Sequence, residues 1–266
     1  MKSGSTATGK LYRQLPAIGL FIGGLIIWEG LVQIFDIKGF ILPAPTAIAA
    51  TFGTETSALI TAGAGTFSTA VAGLVAGTSL AVLTALAAAR WRFVRDGALP
   101  FAIAANSTPI IVLAPIANSW FGLRSAVGSV FVVAILVFFP VMINLVRGLL
   151  SAGASHLELM QSYAARSRTT LWKIRLPNAA PYLFSALKVA AALSLIGAIV
   201  KEFFGGSQDR LGQYITTKAG LLQFEEAWAA IVLASVFGIA LYNIVAWIER
   251  RTIPWHISVR SSASSG

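Results

Sequence analysis

Long apolar runs, separated by short polar segments, constrain this chain more than any other feature. A helix needs about 20 mainly apolar residues to cross the roughly 30 Å hydrocarbon layer of a bilayer. Runs of that order lie at about 15–35, 66–89, 98–118, 125–146, 177–200 and 227–248. They predict an all-α integral membrane protein with about six transmembrane helices. Composition supports the same solvent. Of 266 residues, 56% are hydrophobic and 11% charged, and mean hydropathy is +0.78. A soluble domain carries about 25% charge, so a water-facing all-helical globule would lack the polar surface to coat itself.

The chain has a formal net charge of +10. Nucleic acid is a usual partner of so basic a soluble protein, but here the basic residues fall in the gaps between apolar runs. With the N-terminus inside, fourteen lie in inside segments and five in outside ones (Lys38, Arg124, Lys201, Arg210 and Lys218); Lys188 lies within the fifth run. Orientation by positive inside loops therefore puts both termini in the cytoplasm. Residues 1–14 read as a cytoplasmic tail, the first run is too long for a signal-peptide core, and 256–266 read as a Ser-rich cytoplasmic tail.

Within the runs, Gly73 and Gly77 have the small-xxx-small spacing that lets helices approach closely. Pro100, Pro109 and Pro115 predict a broken or kinked third run. Thr46–Leu59, after Pro43 and Pro45, suits a short interfacial helix. Glu29 is expected to snorkel from the outer end of the first run. Trp28, Trp91, Trp120, Trp228, Trp247 and Trp255 suit an interfacial aromatic belt.

The segment 147–176 is too polar to span and too long for a minimal connection. Leu157, Met160 and Tyr163/Ala164 recur at helical spacing, and Leu171, Ile174 and Arg175 run up to Pro177. This predicts two short amphipathic helices, the second ending where the fifth run begins at a proline. An exposed amphipathic pair needs either lipid or another protein.

Chemistry-bearing candidates are sparse. With no cysteines, disulfides, zinc–thiolate sites and iron–sulfur clusters are excluded. His156 and His256 are too far apart in sequence to suggest a metal pair. A phosphate-cradling Gly-x-x-x-x-Gly-Lys-Ser/Thr loop is absent, since Gly9-Lys10 is followed by Leu11 and lacks the upstream glycine. Lys188 lies about eleven residues into the fifth run, roughly 16 Å along a helix and near the bilayer midplane. A charge there faces protein or water, so Lys188 either lines a path or pairs with a polar group on a neighbouring helix. Asn106, Ser107, Pro109 and Asn144 are further path candidates, with Glu202 at the outer end of the fifth run.

The loop resembles the one carried by permeases of ABC importers, Glu-Ala-Ala, three residues, Gly, nine residues, Ile-x-Leu-Pro. Here Glu158 is followed by Leu159 and Met160 where the pattern has alanines. Ala164, followed by Ala165, stands where it has glycine, and Ile174-Arg175-Leu176-Pro177 closes it at full spacing. Pro109 to Pro115, Trp120-Phe121-Gly122, Phe138-Phe139-Pro140, Arg147-Gly148-Leu149, Ala180 to Phe184, and Ile199 to Glu202 followed by Leu211-Gly212 keep the order of the nitrate/sulfonate/taurine-type branch. The resemblance covers residues 15 to 255.

It implies a type I ABC importer permease domain over 15–255 in a bacterial inner membrane, paired with a second permease copy. Loop 147–176 would be the coupling helix docked on one of two cytoplasmic ABC ATPase subunits. ATP and Mg would sit on those subunits, with no cofactor on this chain, and an extracytoplasmic binding protein would deliver substrate. The implied coupling residues are Glu158, Leu159, Met160, Ala164, Ala165, Ile174, Leu176 and Pro177. Ser107-Thr108-Pro109, Asn118 to Gly122, and Glu202 to Gly206 look closest to the vitamin-precursor side of the branch, such as pyrimidines, with sulfonate, taurine or nitrate as the alternative. An ion-driven secondary transporter would show internal repeats, and a membrane enzyme would cluster acids or metal ligands at one depth; the sequence offers neither.

Overall fold

The computed structural model describes residues 7–106 and 109–254. Those residues form helices and connecting turns, with no strand among them. The order is α1 (Ala7–Ile34), α2 (Pro45–Thr54), α3 (Thr56–Arg90), α4 (Arg92–Asn106), α5 (Ile110–Phe121), α6 (Ala126–Leu150), α7 (Ala154–Ser162), α8 (Ser167–Thr170), a π turn (Leu171–Arg175), α9 (Leu176–Phe203), α10 (Leu211–Gly220) and α11 (Phe224–Thr252). Five helical stretches are long and apolar enough to cross a membrane, and the bent pair α4–α5 passes the same test only when its two helices are taken together.

The core is α3, α6, α9 and α11. Alanine and glycine dominate its closest contacts, because in lipid helices gain by tight backbone packing rather than by escaping water. Gly73 faces Val133 and Gly77 faces the backbone of Ala134 on α6, the close approach that their spacing predicts. Ala70, Ala81, Ala85, Val137, Val141, Ala190 and Leu195 fill the space between. A second cluster joins Ile48, Leu59, Ala62, Leu211 and Ala229 at the end of the bundle that carries α2 and α10.

Several boundaries differ from the sequence expectation. The second span begins near residue 56 rather than 66, so α3 has 35 residues and is about 52 Å long. The interfacial helix is correspondingly shorter and starts at Pro45. The third run is two helices bent by 104°, and of its three prolines only Pro109 lies at the break, as the N-cap of α5 in extended conformation, while Pro100 and Pro115 sit inside α4 and α5. The connection after Glu202 is a mixed polar segment in sequence, but folds into the part-buried α10.

Two expectations about α1 are corrected. Glu29 does not snorkel. Its carboxylate accepts from the Thr46 amide (3.0 Å), the Thr46 hydroxyl (2.8 Å) and Gln33 Nε2 (2.7 Å), so it caps the start of α2 from another helix, a role usually taken by the N-cap side chain. Trp28 and Trp228 are half-buried and meet edge to face at 5.2 Å, tying α1 to α11 instead of standing in a belt. The rings of Trp91, Trp120 and Trp247 are exposed. Trp255, His256 and the Ser-rich tail lie outside the described residues.

Candidate functional site

The motif loop grows from a closed base. Gly148 leaves no room for a side chain, since a Cβ there would stand 2.9 Å from Ala179 Cα. Asn178 Nδ2 donates to the Gly148 carbonyl (3.1 Å) and to Ser151 Oγ (2.8 Å). These contacts hold the end of α6 against the start of α9. Asn178 carried no periodic or motif signal of its own in the sequence.

Beyond the base, α7 has no buried residue. Leu157 and Met160 are half-buried against the bundle, while Glu158, Leu159 and Tyr163 face out, Leu159 and Tyr163 at 53% and 75% exposure. Fully burying one such side chain is worth about 1.5–3 kcal/mol, the order of gain for anything that covers this face. Of the other motif residues, Ala164 and Pro177 are exposed and Ala165, Ile174 and Leu176 half-buried.

The turn after α7 explains the motif's glycine. The Ala165 amide donates to the Met160 carbonyl (2.9 Å) and the Ala164 amide to the Gln161 carbonyl (2.8 Å). This is the paired bonding of a Schellman cap, whose first residue past the cap must be left-handed. That residue is Ala164, at φ +47°. Glycine adopts this conformation freely, whereas a Cβ costs about 1–2 kcal/mol. Ala164→Gly is therefore expected to raise thermal stability by about 2–4 °C while leaving the loop in place, read by a melting curve of the purified protein.

The second half of the motif is a helix that changes pitch. The π turn Leu171–Arg175 passes directly into α9, with the Leu176 amide bonded back to the Leu171 carbonyl. Pro177 lacks an amide hydrogen and crowds the carbonyl four residues earlier, and the wider π turn lies just before it. Ser167–Phe203 is thus one unbroken helical stretch, not a separate second helix.

At the opposite end, the structure turns Glu202 into the centre of a buried lock. Glu202 is 1% exposed. Its Oε2 accepts from the Thr66 hydroxyl (2.9 Å) and the Gly212 amide (3.0 Å), and Thr66 Oγ1 accepts from the Leu211 amide (2.9 Å). Thr66 and the carboxylate thus each capture one of the first two amides of α10 and pin it between α3 and α9. Arg210 adds bonds to the Gly65 carbonyl and to Thr69 Oγ1, the latter at 2.8 Å. Gly212 must be glycine here, because a Cβ would stand 2.6 Å from the Ile199 carbonyl. Lys201, fully buried, donates to the Leu123 and Gly205 carbonyls at 2.8 and 3.0 Å, and Asn118 Nδ2 donates to the Phe204 carbonyl at 2.8 Å. A buried charge needs such partners. Thr66, Arg210 and the α5–α6 turn carried no sequence signal that they belonged together.

The remaining path candidates do not converge. Lys188 Nζ meets Glu249 Oε2 at 2.8 Å, tying α9 to α11. The pair joins the middle of α9 to the last turn of α11. Asn144 Nδ2 donates to the Pro140 carbonyl (2.8 Å) one turn back on its own helix. Asn106 and Pro109 are exposed at the α4–α5 break, and Ser107 lies outside the described residues.

The sequence pattern of the binding-protein-dependent transport system inner membrane component family matches residues 73–254, from the glycine contact of α3 with α6 through the motif loop and the Glu202 lock to the end of α11. The chain belongs to this family. It is therefore an ABC importer permease, the transport subunit, and spans the membrane several times. Among its relatives, the formylaminopyrimidine transport permease protein ThiX of Halalkalibacterium halodurans is 28% identical over 92% of this chain and 97% of its own length. The riboflavin transport system permease protein RibX of Chloroflexus aurantiacus is 27% identical over 91% and 92%. The putative aliphatic sulfonates permease SsuC of Bacillus subtilis is 25% identical over 58% and 55%. A crystal structure of an amino acid ABC transporter with histidines shares the fold at TM-score 0.62 and 16% identity, covering 76% of this chain and 97% of that one.

Proposed function

We propose that this permease forms half of the path for a small heterocyclic vitamin precursor of the pyrimidine type. A binding protein would deliver the solute from outside, and a second permease copy would complete the path. The motif loop would dock on one of two cytoplasmic ATPase subunits, which hold ATP and Mg, so both termini of this chain lie in the cytoplasm. Glu158, Leu159 and the Schellman turn at Ala164 form the docking element, and the continuous helix through Ile174, Leu176 and Pro177 carries its movement into α9. The observation that supports this reading is the union of an uncovered α7 face with an unbroken helix into the core.

Full-length likeness to permeases named for formylaminopyrimidine and riboflavin, against about half-length likeness to the sulfonate type, favours the heterocyclic substrate. The test reconstitutes the assembled transporter in proteoliposomes. Glu158→Ala, or two residues inserted after Ala164, should leave the chain inserted and cut uptake at least about tenfold while basal ATP hydrolysis persists; that corresponds to losing roughly 1.4 kcal/mol of coupling. Uptake that survives the insertion refutes the docking assignment. Uptake of taurine or a sulfonate in place of formylaminopyrimidine refutes the substrate class.

A further inference from the structure

The inner face of the motif loop encloses a cavity that transport as described does not use. It lies between the end of α3 and the α7–α8–π-turn segment and has a volume of about 490 Å³. Arg90 comes to it from α3, Arg168 from α8 and Arg175 from the π turn. None of the three has a carboxylate within 4.0 Å among the described residues. No acidic residue lines the cavity. Three arginines line this one space, and an anion between them would be attracted by each.

The remaining lining narrows the anion's chemistry. Ser167 and Thr170 offer hydroxyl donors beside the arginines, and Leu86 and Met160 give an apolar floor. Guanidinium forks match phosphate oxygens in pairs. The cavity is also much larger than a phosphate ion, leaving room for an organic group on the apolar side. We propose that it binds a phosphate ester, with the phosphate among Arg90, Arg168 and Arg175 and its organic part on the floor. The source is either an anionic phospholipid headgroup or a soluble phosphorylated compound. Basic pockets at the cytoplasmic side of membrane helices take lipid headgroups of this chemistry. A bound phosphate would bridge α3 to the loop. Its site uses the Leu157–Met160–Gln161 side of α7, opposite Glu158 and Leu159, so it leaves the outward face free.

Binding is measured on the full-length chain without ATPase subunits, so the result does not depend on the coupling assignment. One arm titrates phenyl phosphate against the chain in neutral detergent, followed by calorimetry. The other compares retention of phosphatidylglycerol and phosphatidylcholine by native mass spectrometry. Saturable binding is expected in one arm, which identifies the source. Arg168→Gln, an exposed residue on a short helix, and Arg175→Gln should each weaken it by about tenfold or more, the range expected for a hydrogen bond to a charged group. Arg95→Gln, outside the cavity, should not. Absence of saturable binding in both arms, or binding unchanged in both Arg168→Gln and Arg175→Gln, overturns the site.

Discussion

Gly77→Val is expected to abolish uptake and to lower the melting temperature of the purified permease by roughly 5–10 °C. A Cβ at Gly77 would stand 2.5 Å from the carbonyl oxygen of Ala134 and 3.0 Å from its Cα. The obstacle is backbone, so no side-chain rotation relieves it, and α3 and α6 must separate along the most closely packed part of the core. Overpacking costs about 1–3 kcal/mol where side chains can give and more where a helix must move. Each kcal/mol corresponds to about 2–4 °C for a domain of this size. Separation also opens the neighbouring Gly73–Val133 contact on the same face. Gly97→Ala is the control, since nothing lies within 4 Å of its Cβ position, and it should be neutral or slightly stabilising. Equal melting temperatures for Gly77→Val and wild type would show that this helix contact is not tight in the membrane.

Glu202→Ala should cost about 2–6 kcal/mol, because it leaves the Thr66 hydroxyl and the Gly212 amide without an acceptor in a buried site. Expected consequences are release of α10, a lower melting temperature and loss of uptake. Glu202→Gln keeps an oxygen where both donors point and should retain uptake within about threefold, the effect of well under 1 kcal/mol. Thr66→Val should behave like the alanine variant, since it removes both the donor to Glu202 and the acceptor for the Leu211 amide. The comparison separates a lock from a carboxylate needed as a charge on the solute's path. If Gln is as inactive as Ala while melting normally, Glu202 acts through its charge and the lock assignment fails.

Parts of this site were legible before any tertiary contact. The spacing from Glu158 to Pro177 located the loop, and glycine's place in the related pattern fell on the one residue of the α7 turn that is left-handed. The spacing of Gly73 and Gly77 marked a close helix approach without naming its partner, and Pro109 marked the α4–α5 break. These signals are local: helical period, turn chemistry and backbone freedom are written within a few residues.

The polar pairings were not legible, for a physical reason. Glu202 and Thr66 are separated by 136 residues, and Lys188 and Glu249 by 61. Lys201 counted only as an outside basic residue, because its partners are the carbonyls of Leu123 and Gly205, which no side-chain pattern reveals. Glu29 read as a snorkelling acid because the amide that it caps belongs to another helix.

By itself, the sequence determined that lipid is the solvent, that the chain is helical with about six apolar runs, and where the loop lies, since apolar length and motif spacing are properties of the chain in one dimension. Only the tertiary structure decided that Glu202 is a lock, that Lys188 is paired with Glu249 and that three arginines line one cavity without an acidic residue. Burying a polar group fixes that it must have a partner, and helix packing alone fixes which one it meets.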